Sequence, residues 1–389
     1  MSKPLTARII GKMGDVSREA WDALLGDNPS PFLRWDWLSL LEETGCAVED
    51  SGWVPHHALL FREELLVGAC PMYLKLHSMG EFVFDHDWAL FAERLGIDYY
   101  PKLLVGIPFT PVTGPRFLTA GNEDRPALLS LMGRMIARLV VENGISSAHV
   151  NFCRDDETKA LEEIGYLRRV DVQFHWRNRG YRDFEGFLQE LRSGRRNKIR
   201  RERKELQRQG ITLRIIDGSD VTPGIADTLY DLYANHVDNL YWGRRYLTRA
   251  LFQALAARMG DHLLPILALR NGKTIAGTLN LLDGDALYGR YWGAFEQHRF
   301  LHFNVCYHAA IEACIARGLS RFEAGAGGDF KQLRGLDPEF TTSMHFIHDA
   351  RFREALDAHL AKERKSVRQY RETLRRDRSQ FKRVRRPDS

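Results

Sequence analysis

The feature that most restricts the fold is a long-period repeat in the order of the predicted secondary-structure elements. Helical and alternating hydrophobic patterns predict, in each half of the chain, a strand, two helices, three antiparallel strands, a helix and further strands. The halves share this order without obvious residue identity, and 389 residues are enough for two domains. We therefore predict a mixed α/β fold with two domains of one type, residues 1–180 and 181–350, followed by a basic helical tail, residues 351–389.

The individual elements of this repeat are predicted from local patterns. Glu81–Asp87 and Leu287–Phe295 are predicted as the third strands of the two halves. Arg125–Gly144 has the apolar spacing of an amphipathic helix, and Asn271-Gly272 is a strong signal for a hairpin turn. Residues 183–209 are predicted to form one long helix, with an apolar first half and a charged second half, beside the domain boundary.

The stretch Leu287–Gly335 is where the sequence concentrates its candidate chemistry. It reads as an aromatic strand, a polar loop, a helix, a second short strand and a glycine-rich, charged loop. Two strands that separate beside the start of a helix form a cleft. Charged residues within otherwise buried-looking segments gather there, so we expect the site in this stretch.

The net charge of +5 is unevenly distributed. Arg192–Arg208 holds nine Lys/Arg and two Glu, and Lys362–Asp388 holds twelve Lys/Arg and four Asp/Glu, so the rest of the chain is acidic. Such segments can contact phosphates, acidic lipids or RNA, although a solvated helix face or a disordered tail has the same composition.

Other patterns exclude several classes of protein. No apolar run approaches the roughly 20 residues of a membrane helix, and the first residues do not resemble a signal peptide. The five cysteines form no CxxC pair, which is typical of reduced thiols in a cytoplasmic protein. The scattered histidines lack zinc-ligand spacing, so no metal is predicted. GxSxG, GxGxxG and P-loop motifs are absent, which argues against a serine hydrolase and a nucleotide site of those kinds.

The element order resembles the GNAT acyltransferase fold used twice, as in the Fem-type peptidoglycan aminoacyltransferases. Four long strings are similar to a Fem-like family of N-acyltransferases linked to peptidoglycan biosynthesis or recognition. They are FDHDWALFAERLGIDYYPKLLVGIPFTPVTGPRFL (84–118), QFHWRNRGYRDFEGFLQELRSGRRNKIRRER (173–203), LYGRYWG (287–293) and LHFNVCYHAAIEACIARGL (301–319).

The resemblance implies an acyl transfer to an amine. The strand Leu287–Phe295 would supply backbone N–H groups near the acyl carbonyl, and the helix that starts near Asn304 would meet the phosphates of the donor. The corresponding elements of the first half would be Glu81–Asp87 and the start of the Arg125 helix. The implied donor is an acyl-CoA or an aminoacyl-tRNA, with no metal.

The sequence departs from the expected family pattern at two positions. Asn304 stands where a Glu is expected in the string LHFE, and Phe330 stands where a His is expected after the glycine-rich loop. If either expected residue is an obligatory base, the activity of this chain is lost or altered. Asp329 retains a carboxylate on the loop.

Four residues are predicted to be catalytic. His86 is a candidate base that Asp87 would orient, although a strand end followed by an Asp-capped turn gives the same pattern. Glu323 lies within a predicted buried strand, where its carboxylate requires a partner. An inert buried ion pair without a catalytic role would satisfy the same requirement. Asp329 lies on the glycine-rich loop, where backbone can approach a ligand closely.

Two further sets of residues are predicted to bind ligands. The substrate-binding candidates are Arg116, Arg290, Tyr291, Trp292, His302, Asn304, Lys331 and Arg334. The candidates for phosphate or RNA contact, all on the long basic helix, are Arg195, Arg196, Arg200 and Arg201.

Three functions remain open at this stage. The first is an N-acyltransferase that uses an acyl-CoA-like donor and an amine acceptor linked to cell-wall precursors. The second is an aminoacyl-tRNA-dependent transferase that acts on a peptidoglycan precursor. The third is a non-catalytic module that recognises cell-wall fragments. The partners to consider are a small-molecule or cell-wall-precursor substrate, tRNA and, through the basic tail, a membrane surface.

Overall fold

The computed structural model describes residues 3–26, 29–241, 243–377 and 379–382, and they form two compact units. Unit 1 consists of Met1–Val172, Tyr246–Leu251 and Phe340–Gln369; unit 2 consists of Gln173–Arg245, Phe252–Glu339 and Tyr370–Ser389. The chain first passes from unit 1 to unit 2 at Val172, ahead of the predicted boundary at residue 180. Residues 351–369 of the predicted tail belong to unit 1, where Phe352, Leu356 and Leu360 pack, and residues 370–389 belong to unit 2. Residues 383–389 lie outside the described residues.

The strands are numbered in chain order, and β9 and β15 each have residues in both units. They are β1 (Leu5–Ile10), β2 (Trp53–Pro55), β3 (His57–Arg62), β4 (Leu65–Cys70), β5 (Met72–Lys75), β6 (Lys102–Val105), β7 (Leu118–Thr119), β8 (Ser147–Val150), β9 (Leu167–Arg177), β10 (Ile211–Ile215), β11 (Ile266–Arg270), β12 (Lys273–Asp283), β13 (Ala286–Ala294), β14 (Arg321–Glu323) and β15 (Asp337–Ile347).

The helices include one π-helical turn, Asn304–His308, which lies between α10 and α11. They are α1 (Arg18–Asp22), α2 (Trp35–Glu43), α3 (His86–Arg94), α4 (Arg125–Glu142), α5 (Asp155–Glu163), α6 (Phe184–Glu190), α7 (Ser193–Arg208), α8 (Pro223–Asp238), α9 (Arg249–Arg258), α10 (Leu301–Phe303), α11 (Ala309–Ala316) and α12 (Ala350–Asp377). Among the described residues, no helix is both long and apolar enough to cross a membrane.

Unit 1 is built around the parallel strands β6 and β8, which α4 helps to connect. β2, β5 and β6 are antiparallel neighbours, β8 runs parallel to β6, and the part of β15 in unit 1 pairs with β8. α4 begins where the Asp124 side chain accepts a hydrogen bond from the Ala127 amide. Met132, Ile136 and Val140, four residues apart, place one apolar face of α4 on the strands.

Unit 2 contains the antiparallel series β10, β11, β12 and β13, followed by β14, which runs parallel to β13. The part of β9 in unit 2 pairs with β14. The predicted hairpin turn between β11 and β12 is confirmed, with Asn271 and Gly272 both at positive φ. α8 packs so closely on β13 that a Cβ atom at Gly293 would lie 1.9 Å from the Leu232 carbonyl oxygen.

Two predicted elements are wrong. Glu81–Asp87 is not a strand: Asp85 is the N-cap residue of α3, and Glu81 and Asp85 are bonded to the side chain of Lys102 instead of forming a ladder. Residues 183–209 do not form one helix. α6 ends at Glu190 because Leu191 adopts extended backbone and pairs with Phe381, and α7 begins at Ser193.

Candidate active site in unit 2

The two parallel strands of unit 2 separate soon after they pair. β14 pairs with β13 only from Ala286 to Tyr288, whereas β13 continues to Ala294. The backbone edge of residues 289–294 that faces away from β12 therefore extends beyond β14. Parallel strands that diverge in this way stop pairing with each other, and a ligand can enter between them.

A β-bulge lies in the same half of β13. Thr278 of β12 pairs with Trp292, and Asn280 pairs with Gly289, so the single residue between them faces both Arg290 and Tyr291. An extra residue bends a strand locally and re-aims its side chains. Residues 289–294 are thus irregular on one edge and unpaired with β14 on the other.

The side chains of this half of β13 divide between two environments. Tyr291 packs on α8, with its ring centroid 5.4 Å from that of Tyr233. Trp292 instead contacts His302 of α10, with 5.1 Å between the ring centroids. Arg290 lies next to the glycine-rich loop, since a Cβ atom at Gly325 would be 3.6 Å from one of its terminal nitrogens. Arg290 and Trp292 therefore lie on the side of the glycine-rich loop and α10, whereas half-buried Tyr291 packs on α8.

Asn304, one of the two departures from the family pattern, is a structural residue at the start of the π-helical turn. Its side chain is buried, and its Nδ2 atom donates to the carbonyl oxygens of Phe300 at 2.9 Å and Glu202 at 3.2 Å. Single π-helical turns are frequent at functional sites. Here the amide of Asn304 ties that turn to α7, which leaves it no free donor for a substrate.

Glu202 of α7 links the π-helical turn to the loop after β14. One carboxylate oxygen accepts from His308 Nε2 at 3.0 Å and the other accepts from an Arg334 terminal nitrogen at 3.2 Å, and all three side chains are buried. Burial acts to raise the pKa of Glu202. The hydrogen bond from His308 and the charge of Arg334 act in the opposite direction and hold this pKa below its usual value. Arg334 also lies 3.5 Å above the ring centroid of Phe303.

Glu202 and His308 were not predicted from the sequence as site residues. Glu202 was counted as one of two acids within a basic helix, yet it has the helical spacing of Ile199 and Leu206, the other buried residues of α7. A carboxylate on the apolar face of a helix must find buried partners. That spacing was the available signal, but it could not identify a partner more than one hundred positions away.

Lys331 is the buried amine of the site. It lies in the short 3₁₀ helix after the glycine-rich loop, and its Nζ donates to the carbonyl oxygens of Gly325 at 2.7 Å and Ala326 at 3.0 Å. Burial, together with the nearby charge of Arg290, lowers the pKa of Lys331 to about 8. Gly325 and two of the next three residues have positive φ, which gives the loop the conformation that turns these carbonyls toward the amine.

Aromatic rings surround His302 and cover it. The ring of Phe330 lies 6.1 Å from those of His302 and Tyr307, and 39% of the Phe330 residue surface remains exposed. Burial lowers the pKa of His302 to about 4, so its imidazole is neutral near pH 7. Phe330, which stands where a His was expected, therefore contributes a hydrophobic cover instead of a second titrating group.

The two predicted acids of unit 2 have different environments. Glu323 is buried at the end of β14, where it accepts from Arg321 Nε at 3.1 Å and lies 3.9 Å from His175 Nε2. It pairs in register with Tyr288, the last residue of β13 that β14 reaches. Asp329 is exposed at the first position of the 3₁₀ helix.

Three predicted site residues lie in unit 1. His86 and Asp87 are exposed in the first turn of α3. Arg116 is fully buried, and its guanidinium donates to backbone carbonyl oxygens, among them those of Asn151 at 2.6 Å and Gly114 at 3.2 Å. Such bonds hold loops together, so Arg116 has a structural role.

The arginines of α7 are only partly available to a ligand. Arg195 Nε donates to the side chain of Gln380 at 2.9 Å, and Arg200 forms an ion pair with Glu185. Arg200 and Arg201 are exposed, whereas Arg195 and Arg196 are half-buried. Among the described residues, no group of three or more His, Cys, Asp or Glu side chains could hold a metal ion.

A family model for FemAB-like proteins, described as peptidoglycan biosynthesis/recognition, matches residues 12–383. The solved structure of FemX is similar over 88% of this chain and 98% of its own, with 10% identity and a TM-score of 0.55. L-PGS from Bacillus licheniformis is similar over 93% of this chain and 99% of its own, with 7% identity and a TM-score of 0.55.

A third similar structure is the C-terminal domain of a putative lysylphosphatidylglycerol synthetase from Agrobacterium fabrum. It covers 88% of this chain and 95% of its own, with 12% identity and a TM-score of 0.53. A comparison with curated proteins found no match. The similarity to these structures confirms the predicted mixed α/β fold, and the family match confirms the resemblance to Fem-like proteins.

Proposed function

We propose that this chain, which belongs to the FemAB-like family linked to peptidoglycan biosynthesis or recognition, is an acyltransferase. Unit 2 would transfer an acyl or aminoacyl group from an acyl-CoA-like donor to an amine of a cell-wall precursor. The observation that carries this proposal is the open edge of β13 beside the buried amine of Lys331. The edge and the amine supply the two elements that aminolysis of an activated acyl group requires, an oxyanion donor and a base.

The open edge provides the place for the acyl carbonyl. Beyond Tyr288, the N–H groups of β13 that point away from β12 are not paired with β14. Backbone N–H groups fixed in a strand can stabilise the negative charge that develops on a carbonyl oxygen without reorganising. The bulge at Arg290 and Tyr291 bends the strand at this point, which helps to open the edge to an extended acyl donor.

Lys331 is suited to act as the base. A neutral amine has two hydrogens and one lone pair. The carbonyl oxygens of Gly325 and Ala326 accept the two hydrogens, so the lone pair remains available for a proton of the attacking amine. As the C–N bond forms, the C–S bond of the thioester breaks, and Lys331 can return the proton to the departing thiolate. With a pKa of about 8, a sizeable fraction of Lys331 is neutral near physiological pH.

The other cleft residues would orient substrate and exclude water. Trp292, neutral His302 and Phe330 form the apolar part of the lining, next to Arg290. Exposed Asp329 can attract an ammonium group of the acceptor before it loses a proton. Glu323, engaged by Arg321, holds the end of β14 at the point where the strands separate.

The acyl-CoA-like donor is favoured over aminoacyl-tRNA by the state of the basic helix. Two of the four arginines proposed for RNA contact already have protein partners, Gln380 for Arg195 and Glu185 for Arg200. Binding of tRNA would need several phosphate contacts, each of which adds to the salt dependence of affinity.

The test compares Lys331→Met with Lys273→Met, which changes an exposed lysine on β12. Each purified protein is incubated with a panel of acyl-CoA thioesters, or with charged tRNA, and a nucleotide-linked muramyl peptide as acceptor. Mass spectrometry follows donor binding and the acylated product. We expect donor binding by all three proteins, and a loss of transfer of about 10²- to 10⁴-fold only for Lys331→Met.

Two results would contradict the proposal. Transfer by Lys331→Met at the wild-type rate would remove Lys331 as the base. The second result is binding of charged tRNA and of no acyl-CoA, with an affinity that falls steeply as salt rises and falls again in the Arg201→Gln variant. The donor would then be an aminoacyl-tRNA.

A further inference from the structure

We propose that a groove between α3 and α12 of unit 1 docks this protein on an anionic lipid surface. The groove has a volume of about 450 Å³. Its lining comes from these two helices alone, and residues 350–369 of α12 belong to the same unit as α3. The lining residues are Asp87, Trp88, Leu90, Phe91, Arg94, Phe352, Ala355, Leu356 and His359.

The groove is apolar at its floor and at its mouth. Trp88, Phe352 and Leu356 are buried at its base, where they form one cluster with other residues of unit 1. Leu90, also in the lining, keeps 54% of its surface exposed. Phe84, two residues before α3, is 70% exposed, the largest value among the large apolar side chains described in unit 1. A soluble surface rarely keeps a cavity and such side chains together without a partner.

Basic residues continue from the groove along α12. Arg94 and His359 lie in the lining, with Asp87 as its acid. The next helical turns carry Lys362, Lys365 and Arg368, all exposed. The acid of that segment, Glu363, is engaged by Arg169 at 2.9 Å, so the exposed charge of these turns is positive.

This combination indicates a lipid surface. Membrane binding by a peripheral protein requires an apolar insertion and an attraction to anionic headgroups, since one signal alone gives marginal affinity. Leu90 and Phe84 provide the apolar part, and the exposed cations of α12 provide the attraction.

The proposal does not depend on the transfer reaction, because it uses no residue of unit 2. It concerns how the protein reaches a surface, and it assigns a role to part of the basic tail that the proposed cleft leaves unused. Its test therefore measures binding of the whole chain to vesicles, without any acyl donor or acceptor.

The apolar part is tested by flotation of the protein with vesicles of phosphatidylglycerol and phosphatidylcholine, and with vesicles of phosphatidylcholine alone. The variant is Leu90→Asp, and the matched control is Leu65→Asp on β4, where the leucine is 62% exposed. We expect the wild type and Leu65→Asp to bind the anionic vesicles, and Leu90→Asp to lose at least about tenfold in partition coefficient.

The charged part is tested by the combined change of Lys362, Lys365 and Arg368 to Gln. At about 1 kcal/mol for each cation near an anionic surface, the partition coefficient should fall roughly 100-fold at low salt. Equal binding to uncharged vesicles, or equal losses for the Leu90 and Leu65 variants, would overturn the proposal. A change in sedimentation coefficient with Leu90→Asp, without a change in vesicle binding, would assign the groove to a second copy of the chain.

Discussion

The two units contain the same local motif, two parallel strands joined through a helix, but the motif is closed in unit 1 and open in unit 2. In unit 1, β6 and β8 pair along Leu103–Val105, and the Asn151 amide extends the pairing by donating to Val105. In unit 2, β14 stops pairing with β13 at Tyr288, six residues before β13 ends. β6 and β8 thus stay paired to their ends, whereas β13 continues beyond its partner, so the open strand edge belongs to the motif of unit 2.

The buried charges of the two motifs differ in the same way. In unit 1, Lys102 donates to Glu81 at 2.9 Å and also bonds Asp85, which in addition accepts from the hydroxyl of Tyr99 at 2.6 Å. Burial acts to lower the pKa of Lys102, but the attraction of the two carboxylates is stronger and raises this pKa above its usual value. In unit 2, Lys331 has carbonyl partners, and its pKa is lowered to about 8. One lysine is locked as a cation, and the other is poised to exchange a proton.

The largest effect on stability is expected for Lys102→Met, which tests whether Lys102 balances the two buried carboxylates of unit 1. The substitution leaves Glu81 and Asp85 buried without their cation, so the free energy of unfolding should fall by about 3–5 kcal/mol. Urea titration of the variant measures the loss, with Lys273→Met expected to stay within about 0.5 kcal/mol of wild type. A loss below about 1 kcal/mol would show that water, and hence a ligand, reaches the unit 1 motif.

The pH dependence of the transfer rate tests the protonation of Lys331, the buried lysine of unit 2. The neutral form of Lys331 is the base, and it predominates only above its pKa of about 8. The rate should therefore rise roughly tenfold per pH unit below that value and level off above it. Initial rates between pH 5.5 and about 9.5 give the profile. Lys273→Met should retain the rise, and a rate that falls above pH 8 would assign Lys331 as a proton donor.

Local patterns predicted the regular elements of both motifs. The apolar spacing of α4 and the Asn271-Gly272 turn each depend on neighbours in sequence, and the structure reproduces the helix and the hairpin. The order of strand, helix and strand predicted a cleft within Leu287–Gly335, and its use as a site stays a prediction. Those signals do not report how strands are paired, so neither the bulge at Arg290 and Tyr291 nor the early end of the β13–β14 ladder could be predicted.

The buried polar groups were beyond sequence reasoning for a related physical reason. Glu81 and Lys102 are 21 positions apart, and Glu202 and His308 are 106 positions apart. Each charge is stable inside the protein only because of a partner that the fold brings to it. The same requirement explains the wrong strand at Glu81–Asp87, since two carboxylates that turn inward toward Lys102 cannot remain in a regular ladder.

Glu202→Gln tests whether the open motif of unit 2 depends on its own buried charge. The amide keeps the size of the side chain but weakens the bonds to His308 and Arg334, so the free energy of unfolding should fall by about 2 kcal/mol. The pKa of Glu202 is below its usual value, so its stabilising contribution is present above pH 4.5 and is lost as pH falls through the folded pKa.

Urea titrations at neutral and acid pH measure both effects of this substitution. Glu205→Gln, on the same helix but partly exposed and 3.7 Å from Arg208, is the matched control and should change little. An equal loss for the two variants would show that Glu202 contributes no more than a surface acid.

The smallest effect is expected at the glycine that positions Lys331. Gly325 has φ of +78°, so Gly325→Ala should cost about 1–2 kcal/mol in stability and shift the carbonyl oxygen that accepts from Lys331. Gly106, next to β6 in unit 1, has ordinary φ and room for a Cβ atom 3.5 Å from Leu104, so Gly106→Ala should be nearly neutral. Urea titration and transfer rates compare the pair. If Gly325→Ala lowered stability but left the rate and its pH profile unchanged, the loop carbonyl would not influence the proton affinity of Lys331, and burial and the charge of Arg290 would set it.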